Sequence, residues 1–364
     1  MLPDTIRVVS RGSYICFPLL AFVLCLYLTR NGINTSRDSD GYLAGARSFA
    51  SHGSLLDDDG SPLTHFPVLL PVTIGTVSFL APTLTGVRYL NALLAAISVF
   101  LLGRLCAALG ISMAGQIGCM TFAATNVEFL HSYTYVWSEP FFSVLLNSAI
   151  LLMLFFQVGA KIIWSAVALG LACLTRYAGV YFIAPLALTA RRFNRRSIAL
   201  LAIYIAVAAM PITINLVRNV ALTGHVVEEQ RLAHYKPGPE VVRSACTTMA
   251  ALMLPGNLPQ IIRRAAGSVA VVALISIAIK IIFGGKTLEP HRVVVGCLVW
   301  YSCSLLFSSY FLNPTIMFDG RMLTPVFPMI IALGSWGVRY IKSGAAVFSL
   351  VGCLLVCNLY RLGH

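Results

Sequence analysis

Acidic side chains are concentrated in the first long polar stretch of the sequence, between Arg37 and Pro71. Asp38 and Asp40 open this stretch and three consecutive aspartates follow at 57–59, so it holds five of the 13 acidic residues of the chain. A carboxylate held beside a hydroxyl group can act as a general base. Asp38 and Asp40 directly follow an apolar segment, which makes them the candidates for this role.

Polar residues that can bind phosphates or hydroxyl groups recur at the ends of later apolar segments. The candidates are Glu139, as a further catalytic residue with an acidic side chain; Arg176, Arg321 and His65, as ligands of a phosphate; and Tyr42, Arg88, Tyr177 and Asp319, as additional site residues. A guanidinium can hold a phosphate through two parallel hydrogen bonds. Arg176 lies between two apolar half-helices, where pairing with a phosphate or carboxylate explains it better than a purely structural role does.

A base and a cationic clamp at a membrane surface fit one substrate class in particular. A sugar carried on a polyprenyl phosphate has its lipid among the helices and its phosphate at the interface. Because that phosphate leaves as a stabilised anion, no strong general acid is needed. One carboxylate and a cluster of arginines would suffice for transfer of the sugar to a hydroxyl group.

The composition is that of an integral membrane protein. Of 364 residues, 58% are hydrophobic and 11% are charged, whereas soluble proteins carry about 25% charged residues. The apolar runs are continuous rather than alternating, which predicts helices. The net charge of +13 is scattered between apolar segments without a nucleic-acid motif, so we expect no nucleic-acid partner.

About 11 transmembrane segments are predicted, within a range of roughly 10–13, each near or below the ~20 residues that a bilayer core requires. They are 13–29, 87–106, 112–127, 140–157, 162–175, 177–190, 197–217, 268–283, 293–312, 323–339 and 344–360. The segment 66–81, interrupted by proline and glycine, is expected to stay on one side as a juxtamembrane helix. With the N-terminus inside, the basic cluster at 191–196 then falls in the cytoplasm.

We therefore predict an all-α, polytopic transmembrane helical bundle that forms a single domain, 1–364. Two long outer loops are expected, one at 30–86 with juxtamembrane helices and one at 218–267. All candidate site residues then lie towards the outer face. The short loops favour a bacterial inner membrane, with the site facing the periplasm.

Five groups of short motifs, in this order, resemble GT-C glycosyltransferases. They are Asp38-Ser-Asp40-Gly-Tyr42-Leu-Ala44-Gly-Ala46-Arg47; His65-Phe66-Pro67-Val68-Leu69-Leu70-Pro71 with Gly86-Val-Arg88-Tyr-Leu-Asn91-Ala92; Ser138-Glu139-Pro140-Phe141; Thr175-Arg176-Tyr177-Ala178-Gly179; and Arg321-Met-Leu-Thr-Pro325-Val-Phe-Pro328. The sequence is most similar to the branch that contains the lipid A aminoarabinose transferases and protein O-mannosyltransferases. The resemblance extends from about residue 13 to about residue 340.

The resemblance implies inverting transfer from a polyprenyl-phosphate sugar, with an essential Asp in the first outer loop. Asp38, four residues before Tyr42, best matches that Asp, and Asp40 is the alternative. The implied partners are the sugar donor, a lipid, glycan or protein acceptor, and membrane lipids. No cofactor is certain, and Glu139 would position either the acceptor or a divalent metal.

Several candidates also have a structural interpretation. The aspartates at 57–59 fit a solvated turn with Gly60 and Pro62; Glu139 fits a helix N-terminus capped by Ser138; Arg321 fits a pair with Asp319; His65 fits an interfacial residue; and Arg88 fits the end of a span. Two other functions stay open. A transporter or flippase of a lipid-linked intermediate would show charges at mid-depth and two related halves, and a non-catalytic membrane subunit of a glycan assembly complex would need none of the outer acids.

Overall fold

The chain folds into a bundle of helices. A computed structural model describes residues 4–155, 162–189, 195–226, 259–283, 289–307 and 320–338, with single positions at 247, 250 and 254. Within these ranges the regular structure is helical, apart from two isolated β-bridges. The helices are α1 Asp4–Leu28, α2 Arg37–His52, α3 Leu69–Ser78, α4 Thr83–Ala108, α5 Met113–Thr125, α6 Val127–His131, α7 Glu139–Phe155, α8 Ile162–Thr175, α9 Ile183–Thr189, α10 Arg195–Thr223, α11 Gln260–Phe283, α12 Glu289–Phe307, α13 Gly320–Leu323 and α14 Phe327–Val338. The all-α prediction is confirmed.

The apolar segments of the sequence form the long helices. Thr83–Ala108, Ile198–Thr223 and Gln260–Ile281 are long and apolar enough to cross a membrane, and six described apolar helices are shorter, with 10–17 residues. The helix boundaries lie within a few residues of most predicted segments. The predicted span 344–360 lies outside the described residues, so the number of spans stays a prediction.

The main core lies between α1, α4, α5, α7, α8 and α10. Helix α4 packs against α1, α5 and α7, and α8 packs against α7 and α10. Small and apolar side chains fill these contacts, including Ala95, Val99 and Leu102 of α4, each fully buried. Because α7 and α8 are held by this core, their ends are fixed positions on which a site can be built.

The predicted first outer loop, 30–86, contains the helices α2 and α3, and its position outside the membrane stays a prediction. Helices α2 and α3 pack against each other. Their contact is close because Gly75 of α3 faces α2, where a Cβ would lie 2.8 Å from the carbonyl oxygen of Ala46. With 10 residues, α3 is too short to span a bilayer, which needs about 20.

The predicted second outer loop, 218–267, is described at its two ends and at three single positions, and its bounds stay a prediction. Helix α10 continues to Thr223, and α11 begins at Gln260. Two polar residues near the end of α10 bind the first outer loop. Arg218 donates a hydrogen bond to the carbonyl oxygen of Leu63 at 3.1 Å, and Asn219 donates one to that of Thr64 at 3.4 Å.

Candidate active site

Glu139 is at the centre of the candidate site, where α7 begins. Its side chain is completely buried. Helix α7 has 17 residues and the next helix, α8, has 14, so at about 1.5 Å per residue their lengths are similar. The end of α8 therefore returns to the start of α7, and Arg176 reaches Glu139, with Nη1 2.6 Å from Oε1. The positive end of the α7 dipole and the negative end of the α8 dipole favour these two charges.

Gly179 fixes the chain after α8. Its N–H donates a hydrogen bond to the carbonyl oxygen of Arg176 at 2.9 Å. A Cβ at this position would lie 2.8 Å from both the Cα and the nitrogen of Cys173. Glycine therefore lets the 3-10 segment Tyr177–Phe182 fold back onto α8, and this close approach keeps Arg176 at the helix end.

Arg321 reaches the same carboxylate from the far end of the chain. It follows Glu139 by 182 residues, and its Nε lies 2.8 Å from Oε1 of Glu139. The segment that carries it continues into a 3-10 turn, Thr324–Val326, which packs on α7. Asn147 of α7 donates a hydrogen bond to the carbonyl oxygen of Pro325 at 3.0 Å. The same helix thus positions Glu139 and the segment that carries Arg321.

Asp38 is the third element of the site and lies in the first turn of α2. Its Oδ2 accepts a hydrogen bond from Nη2 of Arg321 at 2.7 Å, and its side chain is 37% exposed. Its Oδ1 has no hydrogen-bond partner among the described residues. One oxygen of the Asp38 carboxylate is therefore held by a cation, while the side chain as a whole stays partly exposed.

The four charged side chains form an alternating row of Arg176, Glu139, Arg321 and Asp38. Burial lowers the pKa of Arg321, but the charges of Glu139 and Asp38 outweigh this effect, and its pKa is raised overall. The pKa of Arg176 is raised by the same balance, with Glu139 as the main favourable partner. Both guanidiniums therefore stay protonated, and the charges in the row cancel before any substrate binds.

Tyr42 adds a neutral donor beneath the row. It is buried, and its hydroxyl donates a hydrogen bond to Oγ of Ser138 at 3.1 Å. The same oxygen accepts one from Nη1 of Arg176 at 3.0 Å. Burial raises the pKa of Tyr42 to about 12, against the opposing charge of Arg176. Tyr42 is therefore un-ionised at neutral pH and helps to orient Ser138.

The remaining aspartates of the acidic stretch lie away from the row. Asp40 is exposed, and its side chain has no hydrogen-bond or ion-pair partner in the described part of the chain. Asp58 pairs with Arg47 at the surface, and Oδ1 of Asp59 accepts a hydrogen bond from the N–H of Ser61. The solvated turn expected at 57–60 is present, and its carboxylates are satisfied locally.

His65 and Tyr177 lie beside the site. The His65 ring packs edge-on against Phe66, with ring centroids 4.5 Å apart, and Phe66 packs against Tyr42 at 4.3 Å. Tyr177 donates its hydroxyl to the carbonyl oxygen of Thr64 at 3.2 Å. His65 thus packs on the ring that contacts Tyr42, and Tyr177 is hydrogen-bonded to the residue before His65. Their binding of a phosphate stays a prediction.

Arg88 is not part of the row. The two hydrogen bonds of Arg88 go to the end of α1, from Nη2 to the carbonyl oxygen of Leu26 at 2.9 Å and from Nε to Oγ1 of Thr29 at 3.2 Å. This is the structural alternative considered for Arg88, a residue that marks the end of a span. Asp319 lies outside the described residues, so its pairing with Arg321 stays a prediction.

One oxygen of each carboxylate in the row binds a guanidinium. Within the described ranges, no group of three or more His, Cys, Asp or Glu side chains could hold a metal ion. Arg321 lies between Asp38 and Glu139 and binds both. A divalent metal at these two residues would therefore have to compete with a guanidinium.

The sequence analysis missed the contact of Trp137 with Arg321 and the hydrogen bonds of the Ser138 hydroxyl. The guanidinium carbon of Arg321 lies 4.2 Å from the centre of the Trp137 ring, and Ser138 joins Tyr42 to Arg176. Both residues directly precede Glu139. The aromatic residues just before Glu139 could have indicated a site in the sequence. Their partners could not be predicted, because they come from distant parts of the chain.

The sequence matches no protein-family profile and no curated protein. Solved structures with the same arrangement of helices do exist. ArnT from Cupriavidus metallidurans in the apo state has a TM-score of 0.62 at 12% identity, covering 94% of this chain and 62% of ArnT. The arabinofuranosyltransferase AftD from Mycobacteria has a TM-score of 0.61 at 16% identity, covering 97% of this chain and 27% of AftD. The oligosaccharyltransferase AglB from Archaeoglobus fulgidus, in complex with an inhibitory peptide and a dolichol-phosphate, has a TM-score of 0.58 at 11% identity, covering 98% and 55%.

Fold and composition together define an integral membrane protein built from helices. More specifically, it has the fold of the GT-C membrane glycosyltransferases, because the three similar structures are of that type and each is matched over nearly the whole of this chain. The chain spans less than two thirds of the length of each of them. At this level of identity the similarity concerns the fold, and the chemistry has to be argued from the site.

Proposed function

We propose that this protein transfers a sugar from a polyprenyl-phosphate donor to an acceptor hydroxyl group at the outer face of a membrane, with inversion at the anomeric carbon. The observation that carries the proposal is the meeting of Asp38, Arg321, Glu139 and Arg176, from four separate elements of a GT-C fold. A second ArnT structure is described as bound to undecaprenyl phosphate, and this supports a lipid phosphate as the donor. A bacterial inner membrane with the site facing the periplasm belongs to the same proposal.

Asp38 is the proposed general base. Its free Oδ1 accepts the proton of the acceptor hydroxyl as the acceptor oxygen attacks the anomeric carbon. The bond from that carbon to the phosphate oxygen breaks on the opposite side, and its electron pair leaves with the polyprenyl phosphate. The sugar is thereby joined to the acceptor through a new C–O bond, the proton resides on Asp38, and no oxidant or reductant is required.

The arginines are the proposed phosphate ligands. Nε and Nη2 of Arg321 are used by Glu139 and Asp38, whereas Nη1 has no hydrogen-bond partner among the described residues. Its two N–H groups can bind a phosphate oxygen beside Oδ1 of Asp38. The donor phosphate is a diester with one negative charge. The partly exposed guanidinium of Arg321 attracts it, and the partly exposed carboxylate of Asp38 repels it. Because the charges of the row cancel, the row as a whole does not repel the phosphate. Arg176, which also binds Glu139, is the second proposed phosphate ligand, and His65 is the third.

The test is transfer of label from a panel of radiolabelled polyprenyl-phosphate sugars in membranes that carry the wild-type chain, Asp38→Asn or Asp40→Asn. Asp40 is a matched control, since it has the same side chain two residues further along the same helix but is exposed. We expect wild-type and Asp40→Asn membranes to form a new labelled product. In Asp38→Asn membranes the rate should fall about 10²- to 10⁴-fold, as expected for loss of a general base.

Two results would contradict the proposal. If Asp38→Asn transfers label as fast as wild type, Asp38 is not the base. If no donor in the panel yields a product with the wild-type chain, transfer itself fails. A transporter of lipid-linked intermediates or a non-catalytic membrane subunit would then explain the protein better.

A further inference from the structure

Trp137 contacts two elements of the site at once. The face of its indole lies against Arg321, with 4.2 Å between the ring centre and the guanidinium carbon. Its indole N–H donates a hydrogen bond to Oγ of Ser36 at 2.8 Å. Ser36 is the N-cap residue of α2, two residues before Asp38. The ring is therefore placed between the segment that carries Arg321 and the helix that carries Asp38.

The position of the indole is fixed by contacts that do not involve Arg321. Tyr135 stacks on Trp137, with ring centroids 4.3 Å apart and planes 16° apart. The carbonyl oxygen of Tyr135 accepts a hydrogen bond from Asn91 of α4 at 2.7 Å, and the N–H of Val136 donates to the carbonyl oxygen of Asn34 at 3.0 Å. Trp137 is therefore held in place by contacts that are independent of Arg321.

Two hydrogen-bonded carboxylates alone do not fix the tilt of the Arg321 guanidinium. Its two hydrogen-bonded carboxylates belong to residues 182 and 283 positions away in the chain. A flexible Arg side chain could satisfy both acceptors over a range of tilts. An aromatic ring against the face of the guanidinium removes that freedom, since stacking and cation–π attraction both favour one plane.

We propose that Trp137 is a positioning residue that sets the plane of Arg321, so that Nη1 points to the lipid phosphate while Nε and Nη2 hold Glu139 and Asp38. This inference rests on the proposed role of Arg321 in donor binding. An aromatic residue of the membrane interface would also be expected on the outer side of such a protein. Trp137, however, is only 8% exposed and its N–H is bonded within the protein, which fits a support for Arg321 and not a membrane anchor.

The test is a double-mutant cycle on donor kinetics with Trp137→Leu, Arg321→Lys and the double variant. We expect Trp137→Leu to lower kcat/KM for the donor roughly 5- to 30-fold, the range of a desolvated cation–π contact. Trp137→Phe, which keeps an aromatic face, should recover most of this loss. In the Arg321→Lys background the same change should cost less than about twofold, because an ammonium has no plane to set.

Two controls separate positioning from folding. Trp164→Leu removes an indole that is 64% exposed on α8 and should leave kcat/KM unchanged. Should Trp137→Leu fail to fold, the emission of Trp137 tests the same contact in a chain with Trp137 intact. A chain in which the other three tryptophans are phenylalanine reports the contact without activity, because the emission of Trp137 should change on Arg321→Leu and on addition of undecaprenyl phosphate.

Each outcome assigns a failure to one claim. Additive losses in the cycle, or wild-type kinetics for Trp137→Leu, overturn the positioning role while leaving transfer intact. Absence of transfer by the wild-type chain overturns the proposed function. An emission of Trp137 that ignores both Arg321→Leu and the lipid phosphate overturns the positioning role in either case.

Discussion

Two Arg–Asp ion pairs that involve aspartates of the first outer loop have almost the same N–O distance and very different surroundings. Arg321 and Asp38 are 2.7 Å apart, with side chains 21% and 37% exposed, and Arg321 also binds the buried Glu139. Arg47 and Asp58 are 2.8 Å apart, with side chains 58% and 64% exposed. The first pair joins elements from opposite ends of the chain, whereas the second joins neighbours within the loop.

The comparison shows that the length of an ion pair does not reveal its importance. A solvated pair such as Arg47 with Asp58 gains little, since water screens both charges whether or not they meet. Arg321 is different because it also binds the buried carboxylate of Glu139. Its removal leaves that carboxylate with one arginine instead of two, in a region from which water is excluded. The site is therefore the place where a single substitution should matter.

The largest difference is expected between Arg321→Ala and Arg47→Ala. Arg321→Ala removes the shared partner of Glu139 and Asp38 and should destabilise the protein by about 3 kcal/mol, as for other broken buried pairs. Transfer should fall by at least about 100-fold, since a phosphate ligand is lost. Thermal unfolding in detergent and initial rates of label transfer measure the two effects.

Arg47→Ala is the matched control for this prediction. It should change the free energy of unfolding by no more than about 1 kcal/mol and leave transfer unchanged. Equal losses for the two variants would show that the burial of the site does not distinguish the two pairs.

A smaller difference is expected between two glycines, one in each region. Gly179→Ala places a Cβ 2.8 Å from the backbone of Cys173, so the segment after α8 must shift, at a cost of about 1–3 kcal/mol. Because Arg176 begins that segment, donor KM should rise together with the loss of stability. Initial rates at varied donor concentration and unfolding in detergent measure both.

Gly60→Ala changes the turn of the solvated region. Gly60 has a φ of +80°, with open space around its Cβ position. An alanine there should cost about 1–2 kcal/mol for the left-handed conformation and leave the donor KM as it is. If both glycine variants alter the donor KM, the solvated turn at 57–60 is coupled to the site.

The smallest effect is expected for Tyr42→Phe, which removes one neutral hydrogen bond. The loss at neutral pH should be about 1 kcal/mol, since Ser138 keeps its bond from Arg176. Burial raises the pKa of Tyr42 to about 12 from its ordinary value of 10.0. The folded state thus favours the neutral form, and the contribution of Tyr42 is complete below pH 10 and is lost as pH rises towards 12.

Unfolding of wild type and Tyr42→Phe between pH 8 and 12 measures this contribution. The stability of the wild type relative to Tyr42→Phe should be constant at the lower end and decrease above about pH 10. A difference that stays flat over the whole range would contradict a buried, un-ionised Tyr42.

The prediction of individual residues from the sequence succeeded where a helix end alone decides their position. Glu139 at the start of α7 and Arg176 after α8 follow from two apolar segments of similar length, which must return to the same face. The choice between Asp38 and Asp40 did not follow. They are two residues apart on α2 and so point about 200° apart around the helix, and which of them faces inward depends on how α2 packs.

That packing is a property of distant contacts. Gly41 and Gly45 place one side of α2 against the loop that follows it, where added Cβ atoms would lie 2.9 Å from Phe66 and 2.6 Å from Leu63. Ser39 donates its hydroxyl to the carbonyl oxygen of Val136 at 3.0 Å. These contacts turn Asp38 towards Arg321 and leave Asp40 in the open.

The sequence by itself determined the membrane class, the helical architecture and the set of polar residues available for chemistry, because hydrophobicity and helix punctuation are local properties of the chain. Only the tertiary structure decided which aspartate binds Arg321, that Glu139 is shared by two arginines, and that Trp137 lies against one of them. Those contacts join residues up to 283 positions apart, and their formation depends on the rotation and depth of packed helices. No local pattern in the sequence encodes that information.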